Sequence, residues 1–162
     1  MLHIFRGFRK VMETLDLSCG VVPIKRTESG PQVLFCKSRR NGFYIIPKGH
    51  IDPGETEIQA AIRELWEESG CKPLKFWSNG DWTAESERAV QLPVLEYVYQ
   101  SRRGPVRKSV KLYLAEVDQI ADIQDKKECE TVEWFDLTES NARLLHFEEN
   151  IRHFVENVIP NV

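Results

Sequence analysis

The stretch "PKGHIDPGETEIQAAIRELWEESGC", Pro47 to Cys71, decides how this chain folds and what it does. Its second half, "EIQAAIRELWEES", is rich in strong helix formers, and Thr56 stands where an N-cap is wanted. Ile58, Ala61, Ile62 and Leu65 recur at helical spacing, and Gly70 sits at the C-terminal cap position, so a helix is predicted between these caps. The first half, "KGHIDPGE", reads as a loop in which Gly49 and Gly54 allow tight turns and close approach to a ligand.

Glu64, Glu67 and Glu68 fall at i, i+3 and i+4 and therefore share one side of the helix. Like charges so placed repel, at roughly 0.2–0.5 kcal/mol per pair. Carboxylate oxygens at that density, with no imidazole or thiol cluster beside them, suit a hard cation, Mg²⁺ or Mn²⁺, which offsets the repulsion. The bland alternative is a solvated face neutralised by Arg63 and nearby lysines. Arg63 precedes Glu64 and is expected to face away from the metal side, pairing with Glu55 to pin loop to helix.

Outward from this stretch, "LSCGVVPIKR" and "QVLFCKS" read as a hairpin across the turn "TESGP", and "FYIIP" as a short strand ended by Pro47. Beyond the helix, "PLKFW" is a short strand, while "AVQLPVLEYVYQS" and "VRKSVKLYLAEV" are longer strands joined by "RRGP". "TVEWFDL" is a last strand, leading into one or two closing helices. The order predicts a mixed-sheet α/β domain with helices on both faces. Residues 1–162 are read as one domain, with 1–16 as an N-terminal arm or short helix.

The bulk composition agrees with a globular domain: 162 residues, 41% hydrophobic, 29% charged. A net charge of -3 argues against a general nucleic-acid binder. Cys19, Cys36, Cys71 and Cys129 are widely separated and contain no CxxC pair, so they read as free thiols in a reducing compartment rather than a zinc site or disulfide framework. No apolar run approaches the roughly 20 residues of a membrane span, and no signal peptide is evident, so the expected setting is the cytoplasm without membrane attachment. Oligomeric state is left open.

Gly49, Glu55, Arg63-Glu64-Leu65, Glu67-Glu68 and Gly70-Cys71 resemble the Nudix box, G-x5-E-x7-R-E-U-x-E-E-x-G-U with U apolar, at every charged and glycine position. A chance match to its seven fixed residues is on the order of one in a billion per starting point. The resemblance implies a Nudix α/β/α sandwich with a mixed sheet, divalent-metal dependence, and hydrolysis of a nucleoside diphosphate linked to another moiety. It implies that Glu67 and Glu68 are metal ligands and that Glu64 is a ligand or the general base. It also brings the Lys48 carbonyl to the metal, and makes Gly49, Glu55, Arg63 and Gly70 the structural residues of the loop-helix.

Three further features resemble the asymmetric diadenosine tetraphosphate hydrolase branch. "PKGH" implies a Lys48 ammonium aimed at polyphosphate with His50 beside it, although a locally packed His50 fits equally. "RKSVKLYLAEV" makes Lys108 a candidate phosphate contact, and "ECETVEWFDL" offers Glu128, six residues before Trp134, as a further metal ligand or base, with Glu130 and Glu133 as nearby alternatives and a plain charged loop as the blander reading. Tyr99 roughly matches a base-stacking tyrosine of that branch, with Tyr44 and Phe43 as alternative platforms and a core role the blander reading of each. The substrate so implied is diadenosine tetraphosphate, cleaved to ATP and AMP. Alternatives are RNA 5′ ends, diphosphoinositol polyphosphates, nucleotide sugars, or a non-catalytic nucleotide-binding module.

Overall fold

The computed structural model describes residues 13–118 and 123–136. The predicted closing helices, and most of the predicted N-terminal arm, lie outside the described residues. The described residues form nine strands: β1 (Thr14–Thr27), β2 (Gly30–Ser38), β3 (Tyr44–Ile45), β4 (Lys48–His50), β5 (Pro73–Ser78), β6 (Asp81–Thr83), β7 (Leu95–Ser101), β8 (Gly104–Val117) and β9 (Cys129–Asp136). A single α-helix among the described residues, α1 (Glu57–Ser69), lies between β4 and β5.

The strands join one mixed sheet whose main path runs β3-β2-β1-β8-β5-β6, with β4 on β1, β7 on β8 and β9 on β2. Its axis is the parallel pair β1–β8, in register from Thr14 opposite Val106 to Ile24 opposite Glu116. Ser18 to Ile24 are all buried. A continuous buried run of this kind belongs to a strand covered on both faces. Alternate residues accordingly enter two cores. Val22, Ile24, Val33, Phe35 and Leu112 pack on one side. Val21, Leu34 and Tyr113 meet Ala60, Ala61 and Leu65 of α1 on the other.

The structure shifts several expected boundaries. β1 begins at Thr14, so the last residues of the expected arm are strand, recruited by eleven paired positions along β8. Part of the expected loop is β4, which pairs antiparallel with Ser18–Gly20 of β1. Here Gly20 is required by proximity: a Cβ on it would stand 2.3 Å from the Pro47 carbonyl oxygen. The expected strand over 89–101 is ordered as β7 from Leu95 onward; Pro93 ahead of it lacks the N–H a ladder needs. β6 had no sequence signal beyond "NGDW", in which Asn79 and Gly80 take positive φ.

The expectation of four free thiols is corrected. Cys36 and Cys129, 93 residues apart in sequence, are joined as a disulfide with Cα atoms 5.8 Å apart. The β2–β9 pairing brings them together across a register shift between Lys37 and Ser38. Cys19 and Cys71 are free and buried. No helix among the described residues is long and apolar enough to cross a membrane.

Candidate active site

The loop-helix is built from reciprocal caps. Thr56 Oγ1 accepts from the Gln59 amide at 3.3 Å, while the Thr56 amide donates to Gln59 Oε1 at 2.9 Å. At the far end Gly70, φ 73°, donates its amide to the Trp66 carbonyl. Ahead of the helix, Glu55 closes the turn by accepting from the Asp52 amide at 2.9 Å. Arg63 then clamps this turn: Nε and Nη2 donate to the two Glu55 oxygens at 2.7 and 3.0 Å, and Nη2 also donates to the His50 carbonyl at 2.8 Å. The Glu55 bond, set against a burial cost, raises the Arg63 pKa, and the same bond lowers that of Glu55.

Arg63 does not face away from the acids, as the sequence reading had it. Its Nη1 donates to Glu64 Oε1 at 2.8 Å and to Glu67 Oε2 at 3.3 Å. The five-donor fork is long enough to serve Glu55 with one edge and the helix acids with the other. Glu64 is held on its opposite side by Gly49. A Cβ at residue 49 would lie 2.2 Å from Glu64 Cδ and Oε1. The glycine is therefore needed because the carboxylate fills the space a Cβ would take, a different reason from the positive φ of Gly54.

Glu64, Glu67 and Glu68 diverge within this face: Glu67 turns toward Arg63, while Glu68, only 2% exposed, turns inward. Glu68 Oε2 accepts from the Lys48 amide at 3.0 Å, and Oε1 has no hydrogen-bond partner although it is buried. Burial pushes the Glu68 carboxyl up to about 8, against the opposing pull of Lys48. Burial also raises Glu64, opposed by Arg63, and lowers the Lys48 ammonium, opposed by Glu68. Glu128 contributes to the field at Glu64, Glu68 and Lys48 alike. It is carried there by a loop whose Gln124 and Asp125 amides donate to the Glu67 carbonyl, and by Arg39, whose amide donates to the Glu128 carbonyl.

The remaining sequence candidates converge on a residue the sequence reading missed, Asp16. Lys108 Nζ donates to Asp16 Oδ2 at 2.8 Å, His50 Nε2 lies 2.8 Å from Oδ1, and Tyr99 Oη donates to Oδ2 at 3.4 Å. Burial works against the Asp16 charge, yet Lys108 and then His50 hold its pKa below the usual carboxylate value. The signal was present only in the pairing of β1 with β8, which sets Asp16 opposite Lys108. Lys111, by contrast, pairs with Glu57 of α1. Tyr97 and Tyr99 stand exposed on β7 with ring centroids 6.5 Å apart.

Oxygen donors dominate the helix face, the set a hard divalent cation takes. The orphaned, buried Glu68 Oε1 is an acceptor that such a cation would satisfy. These residues fit a divalent ion.

A family model described as "NUDIX domain" matches residues 15–158. A rat protein named "Bis(5'-nucleosyl)-tetraphosphatase [asymmetrical]" is 36% identical over 109 residues, which are 64% of this chain and 61% of that protein. The match thus spans about three fifths of that relative's length. An RNA pyrophosphohydrolase of Psychrobacter cryohalolentis is 24% identical over 139 residues, 81% of this chain and 78% of that one. A crystal structure of a C. elegans Ap4A hydrolase binary complex superposes with TM-score 0.58 at 25% identity, covering 87% of this chain and 98% of that one.

Proposed function

The chain belongs to the Nudix family, and from that membership we propose that it is a pyrophosphohydrolase that splits diadenosine tetraphosphate into ATP and AMP. The observation that carries the reading is Glu68: buried, oriented by the Lys48 amide through one oxygen, left with the other oxygen unsatisfied, and close enough to Glu64 and Glu128 to feel their charge. The rat and C. elegans relatives supply the substrate class.

Glu68, Glu67, Glu64, Glu128 and the Lys48 carbonyl are the groups that would hold Mg²⁺ or Mn²⁺. Such an ion supplies neutralisation of phosphate oxygens and an acidified water. The chain's own groups do the rest. Glu64, raised by burial and fixed between Gly49 and Arg63, accepts the proton of the attacking water. The water oxygen bonds to an end phosphorus, the bridging P–O bond breaks, and the electron pair leaves with ATP while AMP forms. Lys48 and Lys108 present positive charge, and His50 its ring, toward the polyphosphate, with Asp16 holding Lys108 and His50 in place. Tyr99 offers a π-face on which adenine stacks.

Turnover in heavy-oxygen water with Mg²⁺ tests this. Label in AMP with unlabelled ATP is expected; two ADP, or no turnover, would overturn the substrate assignment. The Psychrobacter relative motivates a second substrate, the triphosphorylated 5′ end of RNA. Run beside the first, faster turnover of RNA would move the assignment there.

A further inference from the structure

Cys36, Cys129 and Glu68 are buried, and each offers a ligand atom within 4.8 Å of the others. Nothing in the hydrolytic scheme uses the two sulfurs. From this juxtaposition we propose that the reduced protein holds a thiophilic divalent cation, zinc in chemical class, on Cys36 Sγ, Cys129 Sγ and a Glu68 carboxylate oxygen.

Four features favour the site. Zinc binds thiolate sulfur at about 2.3 Å and carboxylate oxygen at about 2.0–2.2 Å, so a tetrahedral ion holds such donors roughly 3.5–3.8 Å apart; Glu68 already lies within 4.8 Å of both sulfurs, and these, bonded in the oxidised protein, are released to separate on reduction. The cysteines ride on paired strands, β2 and β9, with Cα atoms 5.8 Å apart, and both are fully buried beside a register shift between Lys37 and Ser38. Glu68 Oε1 lacks any partner while Oε2 is fixed by Lys48. The donor set, two soft sulfurs and one oxygen, selects zinc or cadmium over magnesium.

The disulfide blocks the site in the oxidised protein. A dithiol reductant opens it: two electrons pass to the Cys36–Cys129 bond, two protons make the thiols, and the reductant becomes its own disulfide. Zinc then displaces both thiol protons to solvent. A zinc ion seated there occupies the Glu68 carboxylate, so it also arrests the hydrolysis proposed above. That last consequence rests on the proposed function; the binding itself does not.

Cobalt(II), which reports sulfur ligation by near-ultraviolet charge-transfer absorption, is added to the full chain before and after reduction. The band is expected in the reduced protein alone, lost in the Cys36→Ser, Cys129→Ser double variant, and Glu68→Gln should weaken cobalt binding at least about tenfold. X-ray absorption of the zinc-loaded, reduced wild-type chain gives the ligands without any variant: two sulfurs are expected. Oxygen and nitrogen neighbours alone, or a cobalt band that survives the double variant, would overturn the site. Two sulfurs with hydrolysis unaffected by zinc would uphold the site and remove Glu68 from the catalytic scheme.

Discussion

Replacing Gly49 by alanine isolates the contact that positions Glu64. The added Cβ would stand 2.2 Å from Glu64 Cδ and Oε1 and 2.4 Å from Oε2, whereas ordinary contact begins at 3.4 Å. The carboxylate must therefore retreat by roughly 3.4 − 2.2 = 1.2 Å, or the β4 backbone must move. Glu64 is the far end of a flexible side chain, so the retreat is cheap in stability, toward the lower end of the ~1–3 kcal/mol typical of overpacking. It is expensive in chemistry: a misplacement of about 1 Å costs on the order of 10²-fold in rate. Steady-state kinetics on diadenosine tetraphosphate with Mg²⁺ should show kcat falling about that far while the thermal midpoint barely moves. Glu64→Asp shortens the side chain by one methylene and vacates the space. Gly49→Ala added to Glu64→Asp should therefore cost far less than it does alone, a coupling that a double-mutant cycle measures. Equal cost on both backgrounds, or wild-type kcat in Gly49→Ala, would refute the idea that this glycine exists to seat Glu64.

Arg63→Lys replaces a fork that serves Glu55, Glu64, Glu67 and the His50 carbonyl with a single ammonium. Urea denaturation should show a loss of about 2 kcal/mol; an unchanged midpoint would mean the clamp is not stabilising. Leu65→Ala empties a fully buried position under α1, and the same measurement should read a loss of about 2–5 kcal/mol. Asp16→Asn tests the β1–β8 charge pair through pH. A carboxylate whose folded pKa lies below its ordinary value of 3.8 stabilises the fold above that pH and loses the contribution as pH falls through the folded pKa. The variant should be less stable than wild type near neutrality, by about 1.5–3 kcal/mol. The gap should close below pH 3.8, and a gap that persists in acid would assign the loss to something other than the Asp16 charge.

Local signals carried most of what was legible in the sequence. α1 could be read to its ends because Thr56, the apolar stripe and Gly70 each act within a few residues. The resemblance to the Nudix box likewise implied Gly49, Glu55, Arg63 and the three glutamates as candidates, because that motif lies within one short stretch. What stayed hidden is non-local. Asp16 becomes the hub for His50, Tyr99 and Lys108 through strand pairing across 92 residues, and the Cys36–Cys129 disulfide forms across 93. The direction of Arg63 was misjudged for a third reason: helical spacing fixes where its Cα points, but not which acids a long guanidinium reaches.

The most direct measurement is turnover of diadenosine tetraphosphate with Mg²⁺ by wild type and Glu68→Gln side by side, products separated by anion-exchange chromatography. ATP and AMP from wild type, with the variant folded but slower by on the order of 10³-fold, is the result this account predicts. Equal rates in the two proteins would contradict it.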